Sequence, residues 1–139
     1  MSLSIRNQIP GTVASVTAGE AMATVKVRLA GGQDVTAAIT TESVKELGLA
    51  EGSEVKILVK STEVSLATGP VAGVSIRNQI AGTVTDVATG GAMASVKVDV
   101  EGGALTAAIT KDAVADLNLA AGSAVVALIK STEVSLATA

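Results

Sequence analysis

Three short patterns in this chain of 139 residues carry side chains able to hold an anion, and each of them occurs twice. Ser4-Ile5-Arg6 returns as Ser75-Ile76-Arg77, and Lys60-Ser61 returns as Lys130-Ser131. The run Thr40-Thr41-Glu42-Ser43 has its counterpart in Thr110-Lys111-Asp112-Ala113. Guanidinium, ammonium and hydroxyl groups all donate hydrogen bonds, so together they suit a ligand that only accepts. Each pattern also has an ordinary explanation. If Ser4 to Ile9 is a strand, Ser4 and Arg6 leave it on one face, which a solvated strand would also display. Each lysine follows an apolar strand, at the rim of a barrel, where lysine also guards an edge against strand addition. The threonines open a short helix, whose free amides and dipole favour an anion but whose hydroxyls also serve as caps. A Ser-Lys nucleophilic pair is disfavoured, because adjacent strand residues point to opposite faces and share no proton.

Composition removes other chemistries. There is no Cys and no His, so disulfides, thiolate or imidazole metal sites and histidine acid-base catalysis are excluded. The carboxylates are scattered, without calcium-loop spacing. The Gly-Gly pairs read as hairpin turns, since no Gly-Lys-Ser/Thr follows and no dinucleotide spacing appears. Ten basic against 13 acidic residues leave a net charge of -3, which repels nucleic acid, and there is no aromatic side chain to stack on a base. The longest apolar run, Val125 to Ile129, is far short of the roughly 20 residues that cross a bilayer. With no secretory leader apparent, a cytoplasmic protein without membrane or nucleic-acid partners is expected.

The elements that must position these groups repeat as well. Ser4 to Ile9 alternates as a strand, which Pro10-Gly11 is expected to bend or bulge before Thr12 to Val16 resumes. Ala21 to Leu29 alternates polar and apolar residues, a hairpin turn leads into Val35 to Ile39, and a short helix from Thr40-Thr41 ends at Gly48. Glu54 to Lys60 suits a central strand, and Thr62 to Ala67 is expected to continue as one. The second half follows the same plan with a hairpin one residue shorter and with Asn118 in place of Gly48. Domains at 1–68 and 74–139 with a linker at 69–73 follow, each an OB-like β-barrel of about five strands and one helix. Units of roughly 65 residues have small cores, and 48% apolar residues without aromatics leave surplus apolar surface, so oligomerisation is expected.

The ordered set of Ser-Ile-Arg-Asn-Gln-Ile-x-Gly, Gly-x-Ala-Met-Ala, Ala-Ala-Ile-Thr before a helix and Lys-Ser-Thr-Glu-Val, present twice, resembles the Mop family of molbindins in its tandem arrangement. That resemblance implies a mainly β fold of two OB-like barrels, assembly of three chains into six Mop domains, and no catalysis. It implies molybdate or tungstate bound intact between domains, with no cofactor and no protein atom on the metal. Carried over, the oxyanion-binding residues are Ser4, Ile5, Arg6, Thr40, Ser43, Lys60 and Ser61, and in the second half Ser75, Ile76, Arg77, Thr110, Lys130 and Ser131. Ala113 stands where Ser43 does, so one site is expected to lack a hydroxyl and to bind more weakly. The loops at Glu20-Ala21-Met22-Ala23 and Gly91-Ala92-Met93-Ala94 resemble a segment of a second site class near the threefold axis, to which no residues are assigned.

Storage and homeostasis of molybdate or tungstate is the function this implies. A regulatory oxyanion-sensing module acting on a transporter, and a structural oligomer without ligand, are the alternatives.

Overall fold

The computed structural model describes residues 2–138, so Met1 and Ala139, the outermost positions of the two expected domains, lie outside the described residues. The first repeat forms β1 (Asn7–Ala18), β2 (Met22–Leu29), β3 (Asp34–Thr40), α1 (Thr41–Leu47), β4 (Glu54–Val59), a 3-10 turn (Ser61–Glu63) and β5 (Ser65–Ala67). The second forms β6 (Asn78–Thr89), β7 (Met93–Val100), β8 (Gly103–Thr110), α2 (Lys111–Asp116), β9 (Ala124–Ile129), a 3-10 turn (Ser131–Glu133) and β10 (Ser135–Thr138). Alternation sets the faces: Ala23, Val25, Val27 and Leu29 of β2 are buried while Thr24, Lys26 and Arg28 are exposed. Ile57, Leu58 and Val59 are all buried, because β4 runs between β1 and another strand.

That other strand comes from the opposite repeat. The two sheets have the orders β10-β4-β1-β2-β3 and β5-β9-β6-β7-β8. Ser135 pairs with Leu58 and Ser65 pairs with Leu128, so each barrel is completed by the last strand of the other. The segments 1–68 and 74–139 are therefore sequence repeats, and each physical barrel borrows a strand across that boundary. The expected continuous strand from Thr62 to Ala67 gives way to a 3-10 turn and a separate strand, since the chain must turn at Ser61 to reach the other sheet. A single apolar cluster runs from Ile9 through Ile80 to Val134, which gives two small units one shared core.

Two expectations about β1 are corrected. The strand begins at Asn7, so Ser4 to Arg6 precede it, and it passes through Pro10-Gly11 without interruption. The bulge falls instead between Val13 and Ser15, and again between Val84 and Asp86. Proline is tolerated because pairing with β2 starts only at Gly11. At the equivalent position, the Ala81 amide points away from its neighbouring strand and donates to Gln33 Oε1 at 3.2 Å. Glycine follows for a steric reason: a Cβ on Gly82 would stand 2.6 Å from the Asp99 carbonyl oxygen, and one on Gly11 would stand 2.6 Å from Val27 Cγ1.

Both helix ends agree with the expected caps. Gly48 has φ 61° and Asn118 has φ 57°, the left-handed conformation that terminates a helix and that Asn tolerates best after Gly. Among the described residues, no helix is long and apolar enough to cross a membrane.

Candidate functional site

After β4 ends, Lys60 is extended and the chain closes the 3-10 turn with the Glu63 amide donating to the Lys60 carbonyl at 2.9 Å. Val64, buried behind it, anchors the turn. This turn packs against β8 of the second repeat, and its counterpart at Ser131–Glu133 packs against β3 of the first. Ser61 Oγ and Ser131 Oγ are buried there without a hydrogen-bond partner among the described residues. An unpartnered buried hydroxyl costs about 1–3 kcal/mol. That it recurs at both equivalent places marks a position shaped for an acceptor the chain itself does not supply. Lys60 and Lys130, one residue earlier, are exposed.

Ser4 to Arg6 and Ser75 to Arg77 are held in shape by glutamines. Gln8 Nε2 donates to the Ile5 carbonyl and Gln79 Nε2 to the Ile76 carbonyl, both at 3.1 Å, while Arg6 Nη2 donates to the Leu3 carbonyl at 3.2 Å. Ser4, Arg6, Ser75 and Arg77 are exposed, and Ile5 and Ile76 are half-buried. Because this segment is not a strand, alternation no longer places Ser4 and Arg6 on one face.

At the helix starts, capping and the candidate donors involve the same atoms. Thr40 is the N-cap of α1: its Oγ1 accepts from the Ser43 amide at 3.1 Å and donates to Ser43 Oγ at 2.8 Å. Thr110 Oγ1 accepts from the Ala113 amide at 3.1 Å. Thr41, which sequence alone left as an alternative cap, is instead buried and donates to the Gly19 carbonyl at 3.0 Å.

Two asparagines determine which of these groups meet. Asn7 Nδ2 donates to the Thr106 carbonyl at 2.9 Å and Asn7 Oδ1 accepts from the Thr106 amide at 2.7 Å. Asn78 makes the same pair with Thr36, at 2.8 and 2.7 Å. A Cβ on Gly103 would stand 3.2 Å from Ile9 Cγ2, so β1 runs antiparallel beside β8 and the residues before Asn7 head toward Thr110. By the same geometry Ser75 to Arg77 head toward Thr40, since Ala81 meets Gln33 and Asn78 meets Thr36. The strands that lead to the helix starts thus pack against the Lys-Ser turns of the other repeat and run beside the strands that follow its Ser-Ile-Arg segments. Sequence reasoning missed Asn7 and Asn78, although each shares the inward face with an apolar residue two positions on, Ile9 or Ile80. A buried amide in that register signals a fixed backbone partner.

Lys60 also borders a cavity of about 160 Å³ with Ile5, Leu58, Glu63, Thr132, Glu133 and Ser135. Two carboxylates in that lining disfavour a dianion, so the buried serines mark the better place for one. A larger open groove of about 940 Å³ lies elsewhere, along Pro10 to Ala14, Arg28 to Ala30 and Glu51 to Lys56, and contains none of the expected oxyanion-binding residues. Arg28 there is engaged with Asp34, Nε to Oδ1 at 2.9 Å.

Paired OB-like barrels with strand exchange, and with side chains able to donate hydrogen bonds near where the repeats meet, define a tandem module of the Mop type. The chain belongs to the TOBE domain family, whose model matches residues 3–66 and 74–136. It is 43% identical over 136 residues to the molybdenum-pterin-binding protein MopB of Rhodobacter capsulatus, covering 96% of this chain and 50% of that protein. It is 44% identical over 66 residues to molybdenum-pterin-binding protein 2 of Clostridium pasteurianum, covering 48% of this chain and 97% of that one. The molybdenum transport protein ModE of Herbaspirillum seropedicae is 38% identical over 140 residues, with 99% of this chain and 52% of that protein covered. The chain spans about half the length of MopB and ModE. Among solved structures, the cytoplasmic molybdate-binding protein ModG with molybdate bound matches at a TM-score of 0.96 and 38% identity, covering 100% of both chains.

Proposed function

We propose that this protein binds molybdate or tungstate as an intact oxyanion, without catalysis, and serves to store and buffer it in the cytoplasm. The observation that carries the reading is the pair of buried, unpartnered hydroxyls at Ser61 and Ser131, each on a turn packed against the strand that leads to the other repeat's helix start. A tetrahedral dianion offers acceptors only, and the groups converging on those turns are donors. One site takes Ser4, Ile5, Arg6, Lys60 and Ser61 with Thr110. The other takes Ser75, Ile76, Arg77, Lys130 and Ser131 with Thr40 and Ser43. The likeness to ModG over the whole of both chains supports the ligand and the compartment.

The sites are completed by association of three chains, giving six barrels. Met22 and Met93, at equivalent positions, are 50% and 48% exposed, and the part-buried Val16, Ile39, Val87 and Ile109 add apolar surface for a partner copy to cover. Light scattering should give a trimer, and a monomer at all concentrations would remove this part of the reading. Equilibrium dialysis against molybdate, tungstate, sulfate and phosphate tests the ligand. Molybdate and tungstate should bind, while sulfate should compete poorly, because a pocket sized for the larger ions leaves it with long hydrogen bonds. No uptake of either large oxyanion would leave a structural oligomer as the function. The match to about half of ModE favours a second reading, an oxyanion-sensing module controlling a transporter, as the outcome if binding is tight but a longer protein carries this segment.

A further inference from the structure

The exchanged strands do not by themselves decide which repeat a repeat must meet. Lys60 to Thr68 and Lys130 to Thr138 are identical, and the pairing of Ser65 with Leu128 repeats that of Ser135 with Leu58. Asn7 on Thr106 likewise repeats Asn78 on Thr36. A pair built from two first repeats, or from two second repeats, would keep all of these contacts. Two other contacts differ. The β2–β3 hairpin is one residue longer than the β7–β8 hairpin, and the extra residue is Gln33, whose Oε1 accepts from the Ala81 amide at 3.2 Å. Pro10, on Lys56, holds the place that Ala81 holds on Val126, and it has no amide proton to give. The hairpin tips also touch: a Cβ on Gly31 would overlap Glu101 Cβ, and one on Gly102 would lie 3.2 Å from Ala30 Cβ. Ala30 and Glu101 are equivalent positions, following Leu29 and Val100, so two second repeats would bring two carboxylates to this junction.

We propose that the surface by which the repeats pair selects a repeat of the opposite kind, with Gln33 distinguishing Ala81 from Pro10 and Glu101 keeping two second repeats apart. A first repeat facing another first repeat would offer each Gln33 a proline. A second repeat facing another second repeat would leave each Ala81 amide without its glutamine and set Glu101 against Glu101. In the mixed pair the glutamine meets its amide, and Pro10 needs no acceptor from the shorter hairpin, whose Gly103 lies beside Ile9. This selection involves no ligand and stands apart from the oxyanion reading.

To test it, the full chain is given a protease site at 69–73, folded, cut there, unfolded in urea and refolded with both halves present. The chain has no cysteine, so introduced ones report pairing without background. Lys56 pairs with Ala137, so a disulfide in Lys56→Cys/Ala137→Cys joins a first repeat to a second one. A disulfide in Lys56→Cys/Ala67→Cys joins two first repeats, because Ala67 takes the equivalent place in β5. Random pairing makes about half of the pairs mixed, and the hydrogen bond, worth about two- to tenfold per pair, raises that share to about two-thirds to nine-tenths. Adding Gln33→Ala/Ala30→Glu gives all three pairings the same contacts at these places, so the mixed share should fall back to about half. A parent share near half, or a variant share as high as the parent's, overturns the proposal. If the cut halves do not refold, the stability of the uncut chain decides. Gln33→Ala and Ala81→Pro should each lower its folding constant by about two- to tenfold, and the double variant should lose no more than the worse single one. Losses that multiply, or no loss in either single variant, overturn it as well. Molybdate enters none of these readouts, so a chain that takes up no molybdate overturns the functional reading and leaves the pairing rule standing.

Discussion

Asn7 and Thr106 are 99 positions apart and hold each other through both polar ends of the asparagine amide, at 2.9 and 2.7 Å. The side chain acts as a short stretch of borrowed backbone, pairing with the backbone of β8. Asn7→Ala leaves the Thr106 amide and carbonyl unpaired beside a residue only 3% exposed, at a cost of about 1–3 kcal/mol for each group that water fails to reach. Chemical denaturation should show that loss, and Asn78→Ala should show one of similar size through Thr36. A change below about 0.5 kcal/mol, the usual scatter of surface substitutions, would show that the clamp is dispensable.

The exchanged strands make a prediction that crosses the repeats. Truncation after Val134 removes β10, which pairs with Val55 to Leu58 of the first repeat. Hydrogen exchange should therefore accelerate at β4, more than 70 residues upstream in sequence, while β9 keeps its pairing with β5 and β6. Faster exchange confined to the second repeat would contradict the exchange of strands.

How legible this was in the sequence depended on distance along the chain. The alternation of β2, the helix from Thr41 to Leu47 and the left-handed ends at Gly48 and Asn118 are local matters, set by side-chain period and backbone sterics, and they could be read directly. Pro10 misled because its effect depends on whether a strand lies on the side its nitrogen faces, and β4 pairs with it on one side while the register with β2 begins only at Gly11 on the other. The exchange of β5 and β10 was invisible for a related reason: identical Lys-Ser-Thr-Glu-Val-Ser-Leu-Ala-Thr segments can pair with either repeat, and the sequence of each strand fits both partners. The candidate donors were singled out by type and spacing. The proposal that they combine across the repeats rests on Asn7, Asn78 and the packing of the two 3-10 turns.

Acid should act on the first repeat's hairpin through the Arg28–Asp34 pair. The hydrogen bonds from Arg28, Nε at 2.9 Å and Nη2 at 3.2 Å, hold the Asp34 carboxyl below its usual range. A folded-state value below the unfolded one means that the contribution is complete above the ordinary carboxylate value of about 3.9 and is lost as pH falls through the lowered value. Asp34→Asn should accordingly flatten the fall in melting temperature below about pH 4 relative to the parent, modestly because the pair faces solvent. Among the described residues the second repeat has no counterpart, since Asp99 faces Ala104, and identical acid profiles in the two proteins would contradict the role of the pair.

The most direct test of oxyanion binding at the turns is a molybdate titration of the Ser61→Ala/Ser131→Ala double variant, read together with its stability without ligand. Removing two buried hydroxyls that lack partners should leave the ligand-free protein as stable as the parent or more so, by up to about 1–3 kcal/mol per site. Removing two donors to a charged ligand should weaken molybdate binding by about 1.5–3 kcal/mol at each site, roughly ten- to a hundredfold. Stability held or raised with affinity lowered is the result predicted here. Unchanged molybdate affinity in a folded double variant would contradict it.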